Sequence, residues 1–295
     1  MLKKAGGLLE RKSAFDIFVV VFLTVWGLII FFPFYNAVLI SFVPQEVYIK
    51  TPFMLYPKAL TFEYYKFVLS SPTLISGFKV TLIVVVLGVL YNMFLTVTTA
   101  YALSRPKLPG KGVIMKLIVF TMYFSGGLVP FYMLIRDLAL IDKIGAMIIP
   151  MGINTFYMLI VRSYFQGLPI ELEESAKIDG ANEFIILFRI ILPLSLPVLA
   201  TFFLFYTVDR WNEWFNAMLF MKSIKKLPLQ YTLRLILANI STLQSRMLTS
   251  ESTLQNFSEG IKMACIVIIM TPVMILYPFV QKYFMKGLLI GAIKA

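Results

Sequence analysis

The chain has 295 residues, of which 59% are hydrophobic and only 14% charged. A soluble domain carries about a quarter charged residues, so this one lacks the polar groups to cover a water-facing surface, and its natural solvent is a bilayer. Net charge is +12 and histidine is absent, and the single cysteine is Cys265. This excludes histidine proton chemistry, a structural zinc site and an intrachain disulfide. The basic excess would suggest nucleic acid in a soluble protein. Here it lies between apolar runs, where it fits lipid head groups, so no nucleic-acid partner is expected.

Taken in chain order, charge-free runs fall at 17–45, 80–104, 117–135, 144–161, 190–208 and 263–281. Each is near the roughly 20 residues needed to cross a bilayer as a helix. The reading is an all-α membrane protein with six transmembrane helices in a single domain spanning 1–295. Pro33, Gly126, Gly127, Pro130, Pro150, Pro193, Pro197 and Pro272 interrupt the runs and mark bends or close approaches. Lys3, Lys4, Arg11 and Lys12 precede the first run. Arg105, Lys107, Lys111 and Lys116 follow the second, and only Arg136 and Lys143 follow the third. The basic flanks place both termini in the cytoplasm of a prokaryotic cell, in its plasma (inner) membrane. Lys282, Lys286 and Lys294 lie on that same side. The longer segments 46–78 and 209–262 then face outward. The N-terminal run is too long for a cleaved signal peptide, and "LKKAGGLLERK" reads as a basic flank. Cys265, inside the last run, reads as a small buried core thiol.

Between the fourth and fifth runs lies a charged cytoplasmic stretch, 169–183, containing "ELEESAKIDGANE". Pro169 suits the first turn of a helix. Glu171, Glu173 and Glu174 sit where the helix dipole favours acids. Gly180 can take the left-handed turn that closes the helix, and Asn182 can cap the next. That second helix runs through Phe184, Phe188 and Ile190 into the fifth span, so force on the first would reach the membrane. From the residues alone, a solvated helical hairpin is equally admissible.

The run "EESAKIDGANEFIILFRIILPLSLP" resembles the EAA loop of importer permeases in the ATP-binding-cassette (ABC) superfamily. Glu174, Ser175 and Ala176 stand for the opening triplet, Gly180 follows after three intervening residues, and Ile190, Leu192 and Pro193 complete the pattern. Ser175 departs from the usual alanine but is also small. Ile178, Asp179, Gly180 and Ala181 resemble carbohydrate permeases in particular. "WNEWFNAM" and the tail from Tyr277 are similar to a subgroup serving oligosaccharides or polysaccharide fragments. The resemblance implies the type I importer fold with a cytoplasmic coupling helix. It also implies a second homologous permease subunit in a heterodimer, a dimer of ABC subunits that carries the ATP and Mg, and an extracytoplasmic solute-binding protein. This chain has no phosphate-binding Gly-x-x-x-x-Gly-Lys-Ser/Thr loop, so no cofactor, metal or catalytic residue is expected in it, and it is read as a transport subunit rather than an enzyme. The implied coupling residues are Glu173, Glu174, Ser175, Ala176, Asp179, Gly180 and Ala181, with Glu174 as the charged contact and Gly180 as the turn that sets the helix angle.

Sugars are gripped by aromatic faces and by amide or acidic hydrogen-bonding groups. "YTVDRWNEWFNAM" supplies Tyr206, Asp209, Arg210, Trp211, Asn212, Glu213, Trp214 and Asn216 at the outer end of the fifth span. Tyr91 and Asn92, Tyr123, and Asn154 and Tyr157 are further candidates in the second, third and fourth spans. Each can equally bond a neighbouring helix or belong to an interfacial aromatic belt. The leucine-rich segment 229–240 reads as an outer half-helix. Two rivals are a secondary carrier and a membrane enzyme. Against them stand the absence of an intramembrane acid, of an internal repeat and of a nucleophile–base pair. An ABC permease for a non-sugar solute is the remaining alternative.

Overall fold

The structure, a computed structural model, describes residues 14–106, 108–246 and 258–292. Lys3, Lys4, Arg11, Lys12, Lys107 and Lys294, on which part of the orientation argument rests, lie outside the described residues, as does the basic N-terminal segment. Among the described residues all regular structure is helical. The chain falls into two compact units: Met1–Val68 with Thr249–Val267, and Leu69–Leu248 with Ile268–Ala295.

The first unit is built on α1 (Ala14–Ser41), α2 (Gln45–Lys50) and α3 (Glu63–Ser70). Most of α1 presents its side chains outward, Phe15 to Phe34 among them, as an apolar helix in lipid does. Only its last turn is buried, where Leu39 packs with Val43 and Met54. There the Ser41 and Tyr65 hydroxyls share a 2.7 Å hydrogen bond.

The second unit holds α4 (Pro72–Ser104), α5 (Lys111–Tyr123), α6 (Leu128–Asp137), α7 (Gly145–Ile148), a 3-10 turn (Ile149–Met151) and α8 (Thr155–Gln166). Then come α9 (Glu171–Ile178), α10 (Glu183–Ile185), a π-helical stretch (Ile186–Ile191), α11 (Leu192–Leu194) and α12 (Leu196–Trp211). α13 (Phe215–Phe220), a 3-10 turn (Ile224–Lys226) and α14 (Leu229–Arg246) follow, and α15 (Ser258–Ala292) closes the chain. α4 is the spine. Its 33 residues extend about 50 Å at 1.5 Å per residue. One end, with Val97 to Leu103, joins a core with Met158, Phe165, Ile186 and Phe202. The other end, with Val80 and Val84, joins a core with Ile135, Met147 and Phe220.

By length and apolarity α1 and α4 can each cross a bilayer alone, and three bent pairs raise the count to five. The sixth predicted run lies inside the 35-residue α15. The third, fourth and fifth runs, expected as single spans, are broken. α5 and α6 meet at 116°, α7 with its 3-10 turn meets α8 at 47°, and the α10–α11 stretch meets α12 at 86°. Glycine and proline account for the breaks. Gly127 has φ +90°, and Pro193 and Pro197 cannot donate to the helix ladder, which is where π and kinked geometry accumulates. The second helix of the charged stretch therefore enters the fifth span through a bend at Ser195, not as one straight rod. The segment expected as an outer half-helix forms α14.

Candidate coupling segment and substrate path

The charged stretch folds into α9, eight residues long. Helical backbone starts at Ile170, one residue after Pro169. A helix this short is not stable alone in water, so its ends and inward face matter. Gly180 has φ +81°. Gly180 N–H donates to Lys177 O at 3.1 Å and Ala181 N–H to Ala176 O at 2.9 Å, the paired bonds of a Schellman stop. A residue with a Cβ is disfavoured at such a φ. Asn182 then caps α10, its Oδ1 accepting from Ile185 N–H at 2.9 Å.

Glu173 and Ala176 are the buried residues of α9. Glu171, Glu174, Ser175, Asp179 and Gly180 stay exposed, as do Ile178 at 86% and Phe184 at 74%. The expected coupling residues thus divide. Glu174, Ser175, Asp179 and Gly180 form an open face, whereas Glu173 turns inward to an ion pair with Arg105 at the end of α4. The Arg105 guanidinium also lies 4.4 Å over the Tyr101 ring. Tyr101 donates its hydroxyl to Glu183 Oε2, and Glu183 Oε1 pairs with Lys177 Nζ at 2.8 Å. The Lys177 hydrogen bond, then the one from Tyr101, holds the Glu183 carboxyl below its usual range. Burial lowers Arg105, which stays charged nonetheless. Arg162 on α8 donates to Leu103 O at 2.9 Å, and Lys111 donates to Arg105 O at 3.0 Å, so the orphan carbonyls at the end of α4 are met. Tyr101, Arg105 and Lys177 were missed as site residues. The available signal was an arginine directly after an apolar run, and it was absorbed into the charge-flank argument.

The substrate-path candidates also divide. Asn92 is fully buried, and its amide donates to Met151 O and, at 2.9 Å, to Gly152 O, holding the break before α8. Asn154 caps α8 through Oδ1, which accepts from Tyr157 N–H at 3.3 Å. The Asn154 backbone N–H donates to the Tyr206 hydroxyl at 3.1 Å, and that hydroxyl meets Thr96 Oγ1 at 2.7 Å. Tyr91 packs partly buried in the Val80–Phe220 core. Arg210 is buried; it donates to Met147 O at 2.7 Å and approaches Glu213 at 3.7 Å. Its stem lies over Gly88, where a Cβ would come within 2.8 Å of Arg210 Cδ. Glu213 accepts from Asn216 N–H at 3.1 Å and from the Asn216 amide at 3.2 and 3.0 Å. Trp211 is anchored by its indole N–H to Ile269 O at 3.3 Å and by an edge contact to Phe78. These residues hold the helix breaks in place.

The remaining candidates are accessible. Asp209 is exposed and accepts a 3.2 Å bond from the Tyr157 hydroxyl. Asn212 is exposed and accepts from Gln230 at 3.0 Å. Trp214 lies 3.8 Å under the Arg234 guanidinium. Tyr123 is 86% exposed, at the end of α5. Asn216 also borders an open cavity of about 730 Å3 with Ser125, Gly126, Gly127, Phe131 and Met151. The non-helical residues Ser125, Gly126 and Gly127 thus line it, and the Asn216 Oδ1 is buried without a hydrogen-bond partner. Among the described residues no acid or thiol cluster could hold a metal.

No protein-family model matches the chain. It is 41% identical to protein LplC of Bacillus subtilis, over 97% of this chain and 96% of that one. It is 40% identical to the polygalacturonan/rhamnogalacturonan transport system permease protein YtcP of the same organism, over 96% and 99%. Its fold matches a chain of a bacterial ABC transporter that imports the acidic polysaccharide alginate. There the TM-score is 0.84 at 31% identity, covering 95% of this chain and 99% of that one. The chain therefore belongs to the permease subunits of ABC importers. It is a multi-pass membrane protein and a transport component, with ATP hydrolysis assigned to a different subunit.

Proposed function

We propose that this chain forms one half of the membrane channel of an ATP-driven importer of oligosaccharides or polysaccharide fragments. The full-length likeness to YtcP and to the alginate-importer chain carries this reading. Both of those proteins are named for polymers of acidic sugars, which favours uronate-containing fragments as the cargo. The whole of 1–295 acts as a single permease domain in the plasma membrane, with both termini cytoplasmic. A second homologous permease completes the channel, a dimer of ABC subunits binds ATP and Mg, and an outside binding protein delivers the sugar.

The open face of α9 is the docking surface, with Glu174 as its charged contact, Ile178 and Phe184 as apolar contacts and Gly180 setting its angle. Non-helical backbone at membrane depth is tolerated only where protein covers it or where it lines a water-filled cavity. The exposed 124–127 break and the 730 Å3 cavity therefore face the sugar path, with Asp209, Tyr157 and Asn212 as its accessible polar groups. Closure of the ATPase dimer drives the coupling helices together and switches the path between inward and outward access. The test is reconstitution of the whole complex in liposomes with a panel of labelled oligogalacturonides, alginate oligomers and neutral oligosaccharides. ATP hydrolysis should rise with loaded binding protein, and uptake should follow it for one sugar class. A purified complex that retains no ABC subunit, or that transports no sugar on the panel, refutes the proposal.

A further inference from the structure

The peptide route from α9 into the membrane is compliant. It passes the Gly180 turn, a π-helical stretch and an 86° bend at Ser195, and each of these can absorb a displacement before it reaches α12. A stiffer route runs beside it. Glu173, the inward acid of α9, pairs with Arg105. Lys177, one turn further on, reaches back through Glu183 to Tyr101, whose ring lies under the same Arg105. The result is a chain of five side chains, two on α9, one on α10 and two at the end of α4, closed into a ring by the α9 backbone between Glu173 and Lys177. Its central pair is nearly out of water, at 17% and 10% side-chain exposure, so Glu173 cannot part from Arg105 without becoming a buried, unpaired carboxylate.

Beyond the ring, α4 is unbroken for 33 residues. It touches the interruption of the fourth span, where Asn92 holds the Met151 and Gly152 carbonyls and Thr96 meets the Tyr206 hydroxyl that accepts from Asn154 N–H, and it packs along α12, where Gly88 seats Arg210. A body clamped to α9 at one end therefore meets the broken backbone before α8, and the side of α12, farther along.

We propose that Arg105 is a positioning residue for transport: it clamps the coupling helix to α4, so that displacement of α9 is carried along α4 to the break before α8. This rests on the reading that α9 seats against an ATPase, and it adds the residue and the helix through which the motion travels. Arg105 touches neither sugar nor nucleotide. Its role is mechanical and shows in how much sugar crosses per ATP hydrolysed.

The complete complex is reconstituted with native chain, R105A, E173Q and R105K, and the ratio of sugar taken up to ATP hydrolysed is measured. R105A and E173Q should lower that ratio about ten-fold, a size usual for coupling between sites, and R105K, which keeps the ion pair, should restore most of it. A ratio within about two-fold of native in R105A, or one in R105K as low as in R105A, overturns the inference. Spin labels on Leu172→Cys and Leu90→Cys, both exposed sites, test it without disturbing the ring or the proposed docking contacts. In a complex with native Arg105 their separation should be the same in nucleotide-free and ATP-trapped states, because α9 and α4 move as one body. A separation that changes between those states overturns the inference, whether or not R105A assembles. A native complex without an ABC subunit or without uptake would count instead against the function proposed above, and the wild-type control reports it separately.

Discussion

The two ends of α4 handle charge in opposite ways. At the Arg105 end, one acid of α9 is buried and paired while Glu171, Glu174 and Asp179 remain open to solvent. At the far end, Arg210, Glu213 and Asn216 are all drawn inside and bond mainly to one another and to a carbonyl of α7, with only the buried Arg210 Nε and Asn216 Oδ1 left without a partner. A charged segment with an outward face has bonding capacity left for another molecule. One that is consumed internally holds backbone in place. Family-like composition at both ends conceals that difference.

The largest effect should come from breaking the far end. R210A leaves Glu213 buried without its cation, a loss of about 3–5 kcal/mol for a pair of this kind. Thermal unfolding of the purified complex should show it as a markedly lower midpoint, and an unchanged midpoint would mean that the network is not structural. Next is Gly180→Val at the near end. A β-branched residue at φ +81° costs about 1–2 kcal/mol, locally enough to swing α9. ATP hydrolysis should persist while uptake collapses, and intact uptake would remove Gly180 from the coupling argument.

Asp209→Asn sharpens the comparison, because Asp209 is an exposed member of an otherwise buried region. It loses at most part of one hydrogen bond from Tyr157, about 1 kcal/mol, so the unfolding midpoint should barely move while the rate or preference of sugar uptake changes. A variant with native transport would return Asp209 to the scaffold.

The smallest effect concerns pH. Asp142 accepts from the Ser223 hydroxyl at 2.7 Å and pairs with Lys226 at 2.9 Å. The Ser223 bond first, then Lys226, holds its carboxyl far below the usual range. A carboxyl with a lowered folded pKa stabilises above its unfolded value, about 3.9, and that stabilisation is lost as pH falls through the folded value. The difference in hydrogen exchange of residues 220–228 between native chain and D142N should be constant from about pH 8 to 5 and shrink only below about pH 4. A difference that fades near neutrality would show that Asp142 is not held in this way.

The coupling segment was legible because its signals are local. Gly180 stops α9 and Asn182 starts α10 through bonds spanning only a few residues, and such spacing is visible in one dimension. The α4 spine was legible as well, since a long charge-free run has few other fates in lipid. The breaks were anticipated at Gly127, Pro150 and Pro193 but not their angles, which depend on what packs beside them.

The amino-acid order by itself determined the apolar spans, their flanking charges and the short charged helix α9, because hydrophobic length and turn chemistry act over short stretches of chain. Only the tertiary structure decided which polar residues were already spoken for. Asn92 meets its carbonyls 59 and 60 residues away, and Tyr206 meets Thr96 at a separation of 110. Glu173 finds Arg105 only after α8 has brought the chain back to the end of α4. Hydrogen-bonding capacity is a property of neighbours in space, and residue order does not state who those neighbours are.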